Sequence, residues 1–176
     1  MLKKIDCFVY QQHVDLHAVS ALEAIQRYMG FKQCMYLRRY KHWEISLETQ
    51  LDAANLIDQY TQSSYYLLNP NKESYRLSLK ESKKSNQFYV YIDVSSHLAP
   101  DVHPLVAILN RRYDGSINHI SEKVTWECLI QATSYAEAQK LVESQLVYNN
   151  QQQGILVNPV YESYEFIFSK TALING

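Results

Sequence analysis

Apolar residues stand at every second position early in the chain. Ile5, Cys7 and Val9 alternate with polar neighbours, and a period of two predicts a strand over residues 3–10. Asp15 then reads as an N-cap. Behind it Leu16, Val19, Leu22, Ile25 and Met29 recur at steps of three and four, which predicts an amphipathic helix closed by Gly30. The stretch from Gln33 to Leu47 is β-rich with charge in its middle, and fits one long bent strand or a tight hairpin. Thr49 is placed to cap a second helix whose Ala53, Leu56, Ile57 and Tyr60 share a face. Tyr75, Leu77 and Leu79 alternate in a closing strand. The aperiodic polar run from Lys80 to Asn86 predicts a linker.

Beyond the linker the order returns. Phe88, Val90 and Ile92 alternate with Tyr89 and Tyr91. Asp101 opens a helix that carries Pro104 in its first turn, and Gly115 ends it. A β-like run covers Ile117 to Ile130, Ser134 caps a helix with Ala138, Leu141 and Val142, and Tyr164, Phe166 and Phe168 alternate at the end. Two short matches fix the repetition. Asn69-Pro70-Asn71-Lys72-Glu73-Ser74-Tyr75 returns as Asn158-Pro159-Val160-Tyr161-Glu162-Ser163-Tyr164, and Trp43-Glu44 returns as Trp126-Glu127. The two copies are 89 residues apart at the first match (158 less 69) and 83 at the second (126 less 43); the polar insertion Asn149–Gly154 accounts for the growth. Proline fixes φ, offers no N–H and pushes the preceding Asn out of helical geometry, so each Asn-Pro pair ends a helix just before a strand. The chain is therefore expected to be a tandem duplication, with repeats at 1–80 and 88–176 and a linker at 81–87. The expected class is α+β, with antiparallel sheets and helices on one face.

Composition narrows the function. A net charge of −1, from 17 basic and 18 acidic residues, argues against nucleic acid or an anionic membrane as partner. No apolar run approaches membrane-spanning length, and Met1–Asp6 lacks a secretory h-region. Cys7, Cys34 and Cys128 are isolated and odd in number, which suits buried thiols in a reducing cytoplasm. Fifteen tyrosines are the unusual figure, as expected where aromatics cover a sheet face or an interface.

The residues of each repeat resemble the PurS family, the small subunit of phosphoribosylformylglycinamidine synthase in purine synthesis. The first repeat has Asp15, Met29-Gly30-Phe31, Leu37-Arg38-Arg39-Tyr40-Lys41 running into Glu44-Ile45, and Leu67-Leu68-Asn69-Pro70 followed by Glu73 and Tyr75. The second keeps Asp101, Lys123, Glu127, Ile155-Leu156-Val157-Asn158-Pro159, Glu162 and Tyr164. Tyr40 stands where the family has glycine, and the second repeat has no clear counterpart of Arg38. The resemblance implies a non-catalytic scaffold that bridges a synthetase large subunit and a glutaminase subunit. It also implies a covalent pseudo-dimer of two PurS-like repeats, open to further dimerisation, since family members dimerise by exchanging strands. No cofactor is expected, because ATP and glutamine belong to the partners' reaction. Arg38, Lys41, Asn69, Pro70, Glu73, Tyr75, Lys123, Asn158, Pro159, Glu162 and Tyr164 are the candidate subunit-interface residues.

Other chemistries are weaker. His13, Asp15 and His17, and again His97, Asp101 and His103, offer ligand types, but each set straddles a strand-to-helix loop in which Asp is explained as a cap. The cysteines sit in apolar strands, where a thiol behaves as a small hydrophobe. Arg38, Arg39 and Lys41 can dock an acidic surface or a phosphate, or simply keep a strand edge soluble. A second function class stays open: a tandem regulatory module that binds a small metabolite between its two repeats.

Overall fold

The computed structural model describes residues 2–49, 52–62, 65–81, 85–98, 101–112, 116–148 and 154–167. Of the sequence landmarks, Gly115, Phe168, linker residues 82–84 and insertion residues 149–153 lie outside that set. Among the described residues six strands and four α-helices follow in order: β1 (Leu2–Gln11), α1 (Leu16–Glu23), β2 (Cys34–Glu48), α2 (Ala53–Gln62), β3 (Glu73–Arg76), β4 (Gln87–Ser96), α3 (His103–Arg112), β5 (Ser116–Gln131), α4 (Tyr135–Val142) and β6 (Glu162–Ile167). The two long β-rich runs are each one unbroken strand, β2 and β5, and not hairpins.

The helix starts obey their capping residues. The Asp15 carboxylate accepts from the N–H groups of His17 and Ala18, and that of Asp101 accepts from His103. Ser134 accepts from Glu137 N–H, while the Glu137 carboxylate accepts from Thr133 N–H. Thr49 is not at the cap of α2, which begins at Ala53; the Asp52 carbonyl accepts its first intrahelical bond, from Leu56. Helices α1 and α4 each run on into a π-helical turn, Ala24–Tyr28 and Glu143–Val147. Gly30, at φ +70°, closes the first of these.

All six strands join one antiparallel sheet, in the order β3-β1-β2-β5-β4-β6, where two separate sheets were expected. Exchanging the repeats leaves that order unchanged. The registers agree residue by residue. Val9 pairs with Lys41 on one side and Tyr75 on the other, and Val94 pairs with Val124 and Tyr164.

Two compact units result, and neither is one repeat. The first comprises Met1–His13, Lys41–Ser78 and Ala99–Lys123; the second comprises Val14–Tyr40, Leu79–Leu98 and Val124–Gly176. We call them the Trp43 unit and the Trp126 unit. In the Trp43 unit, Ile5, Cys7 and Val9 of β1 and Trp43, Ile45 and Leu47 of β2 meet Leu56, Ile57 and Tyr60 of α2. The core is completed by Leu109 of α3, fully buried, although α3 belongs to the second repeat. In the Trp126 unit, Val90, Ile92 and Val94 of β4 and Trp126, Cys128 and Ile130 of β5 meet Ala138, Val142 and Leu146. This core takes Ala18 and Ile25 from α1, a helix of the first repeat. Burying one such Leu or Ile side chain contributes about 1.5–3 kcal/mol.

The buried face of α1 keeps three of the five positions that the apolar spacing suggested, Leu22, Ile25 and Met29. Ala18 and Ile25 are buried and Ala21, Leu22 and Met29 pack beside them, whereas Leu16 and Val19 are 72% and 51% exposed. Nine residues separate Leu16 from Ile25, which puts them about 180° apart around the helix.

Candidate functional site

The two Asn-Pro joints share one set of turn bonds, to which the first adds donations from the Gln11 side chain to the Glu73 carboxylate and from the Gln12 side chain to the Glu73 and Pro70 carbonyls. The Glu73 carboxylate accepts from Asn69 N–H at 2.7 Å, and Glu162 accepts from Asn158 N–H at 2.7 Å. The Asn69 side chain accepts from Asn71 N–H at 3.1 Å, and that of Asn158 accepts from Val160 N–H at 3.1 Å. The carbonyls of Asn69 and Asn158 each accept from the Glu four residues on, at 2.7 and 2.8 Å. Tyr75 then donates to Asp58 of α2, and Tyr164 donates to Glu143 at 3.0 Å. Burial, reinforced by the Asp58 carboxylate, pushes the Tyr75 phenol up to about 12. The motif residues are thus used locally, as an Asx-type turn, a fixed φ, a carboxylate on an orphan N–H and a phenol tying strand to helix. What the joints offer outward are other side chains. Val160 and Tyr161 are 69% and 53% exposed, and Tyr161 O accepts from His97 N–H, next to exposed Leu98.

The remaining interface candidates do not converge. Alternate residues of a strand face opposite sides, so Arg38 and Lys41, three apart on β2, point away from each other. The Lys41 ammonium lies 5.7 Å from the centre of the Trp43 ring. Lys123 is 3.4 Å from Glu44, which also has Lys4 at 4.0 Å. The strand registers put Val124, and not Lys123, at the position of Lys41; Lys123 matches Tyr40. Among the described residues no group of three His, Cys, Asp or Glu could hold a metal ion. Asp15 and Asp101 spend their carboxylates on helix caps. No described helix is long and apolar enough to cross a membrane.

The most concentrated chemistry lies in the Trp126 unit, around Glu127. Trp126, Cys128 and Ile130 face the apolar core, so Glu127 points to the other side of β5, yet its side chain is fully buried. Tyr40 donates to its Oε2 at 2.7 Å and Tyr91 donates to the same oxygen at 3.2 Å. The Lys80 ammonium is 3.6 Å from Oε1, and the Lys80 carbonyl accepts from the Tyr91 hydroxyl at 3.0 Å. Arg38 lies over the Tyr36 ring at 5.7 Å, Lys80 Nζ is 5.9 Å from the centre of the Tyr36 ring and 5.6 Å from that of Tyr89, and Tyr89 stacks near Tyr91. Burial, aided by the neighbouring carboxylate, pushes the Tyr91 phenol far up. Burial alone would lower Arg38, but Tyr36, Tyr40 and Glu127 outweigh it and hold its guanidinium above the usual range. A second buried polar pair stands on the same face of β4 and β5: Thr125 donates to Asp93.

In the sequence, Glu127 and Tyr40 stood out only as a family match and a family departure, and neither was a site. The available signal was the Tyr89-x-Tyr91 alternation opposite a lone carboxylate in the apolar run Trp126–Ile130. No family model, no curated protein and no solved structure matches this chain.

Proposed function

We propose that this chain is a PurS-like scaffolding subunit of phosphoribosylformylglycinamidine synthase, two repeats fused into a pseudo-dimer, bridging the synthetase and glutaminase subunits. The observation that carries the proposal is the doubled joint. The Asn-Pro-x-x-Glu-x-Tyr residues behind the resemblance are the residues that build one local structure twice, with matched bonds within 0.1 Å of each other. The completion of each core by a helix of the other repeat supports the pseudo-dimer reading. On this reading the chain supplies no reacting group, and its partners hold the nucleotide and glutamine. The exposed side chains of the joints, Val160 and Tyr161 above all, are the ones that would dock them in a cytoplasmic complex.

Two measurements test this. Deleting the gene from a host with no second copy abolishes growth without purines; normal growth sinks the proposal. Purification through a tag, with nucleotide and glutamine present, recovers synthetase and glutaminase subunits. Recovery of the chain without them, under those conditions, counts against it.

A further inference from the structure

Lys80 is the last residue of the first repeat, where the polar run to the second begins, and its ammonium is held as a ligand would be. Its Nζ lies 3.6 Å from Glu127 Oε1, 5.9 Å from the centre of the Tyr36 ring and 5.6 Å from that of Tyr89. Two aromatic faces and a carboxylate removed from water are the elements that select an alkylammonium: the rings attract the cation and the charge needs a counter-ion. The same residue is gripped by its backbone, through the Tyr91 hydroxyl. The Lys80 side chain is 42% exposed while that of Glu127 is fully buried, so the cage is open on the side from which Lys80 enters. Arg38, 5.7 Å from the centre of the Tyr36 ring, brings a second positive charge to the same carboxylate. One anion facing two cations holds each less firmly than it would hold one.

We propose that the Tyr36–Tyr89–Glu127 cage is an alkylammonium-binding site, occupied in this chain by Lys80 as an intramolecular ligand, and that it anchors the backbone at Lys80 and Glu81. The site recognises a primary ammonium on a short unbranched carbon chain. It does not depend on the chain being a synthase subunit.

The test removes the ligand and supplies it again. Lys80→Ala lacks three methylenes and the ammonium, which n-propylammonium replaces. Cleavage by a Glu-specific protease after Glu81, followed by mass spectrometry under native conditions, reports whether that backbone is anchored. Lys80→Ala is cut several-fold faster than the unaltered chain. Added n-propylammonium chloride restores slow cleavage, whereas n-propanol or sodium chloride at the same concentration does not. An unaltered cleavage rate, or equal protection by the alcohol or the salt, overturns the proposal. Lys80→Met keeps the stem and loses only the charge, and it too is cut faster. If it is cut as slowly as the unaltered chain, the ammonium is not what anchors the backbone.

Discussion

Glu44 and Glu127 hold matching register positions, each following a tryptophan in its long strand, and the structure gives them opposite surroundings. Glu127 is sealed against two phenols, with Lys80 closing over it. Glu44 is 27% exposed and meets lysines, Lys123 at 3.4 Å and Lys4 at 4.0 Å. The register partners differ in the same sense: Tyr91 lies across from Glu127, and Asp6 from Glu44. The tyrosine that bonds Glu127 corresponds to the lysine that bonds Glu44. In the joints, by contrast, the two copies share the bonds that shape the turn. The two halves of the chain share their backbone turns and differ on the sheet face.

That contrast can be broken most directly by deleting each carboxylate. Glu127→Ala leaves two buried phenols and two cations without their shared acceptor, and is expected to lower the unfolding free energy by about 3–5 kcal/mol. Glu44→Ala removes a partly exposed ion pair and is expected to cost about 1 kcal/mol or less. Urea unfolding of both variants measures the difference, and equal losses would erase the distinction. Next in size is the donor side. Tyr40→Phe removes one hydrogen bond to a buried acceptor, for about 1–3 kcal/mol, whereas Lys123→Met should change stability by less than about 1 kcal/mol.

The joints provide the matched control. Glu73→Gln and Glu162→Gln should each cost about 1 kcal/mol, with values within about 0.5 kcal/mol of each other, as for loss of a charged cap on an orphan N–H. The smallest effect at neutral pH is that of the core thiols. Burial pushes Cys7 in one core and Cys34 in the other from 9.0 up to about 12. The folded state holds these protons more tightly than the unfolded chain does. Their contribution is therefore complete below pH 9 and is lost as the pH climbs toward 12. A melting temperature followed over that range should fall, and Cys7→Ala and Cys34→Ala should each flatten the fall to a similar degree.

Much of this fold could be read from the chain, for identifiable reasons. Proline and the Asn-to-Glu spacing encode the joints locally. Asp15 and Ser134 encode their helix starts within three residues, and two-residue alternation encodes β1 and β4, but it overran in the first repeat, where β3 ends at Arg76 and Leu77 and Leu79 lie beyond the strand. The partner of a helix is another matter. The periodicity of α1 says that it has an apolar side, but not that Ile25 will enter the core of the other repeat, nor that Leu16 and Val19 will stay in water. The Glu127 site escaped for a related reason. Alternation predicts a carboxylate on the face away from the core, and only the approach of Tyr40, Tyr91 and Lys80, from three separate stretches, turns that face into an interior.

The exchange of α1 and α3 bears on how the protein is made and how it can change. The ribosome releases α1 well before β4 and β5, on whose core it rests, exist. Most of β1, β2 and α2 must likewise wait for Leu109. The nascent first repeat therefore carries unsatisfied apolar surface until nearly the whole chain has emerged, which makes it a natural client for chaperones. The same arrangement ties the two halves of the chain to each other. Neither half of the chain can be removed without leaving the other's core open, because each supplies a helix to it.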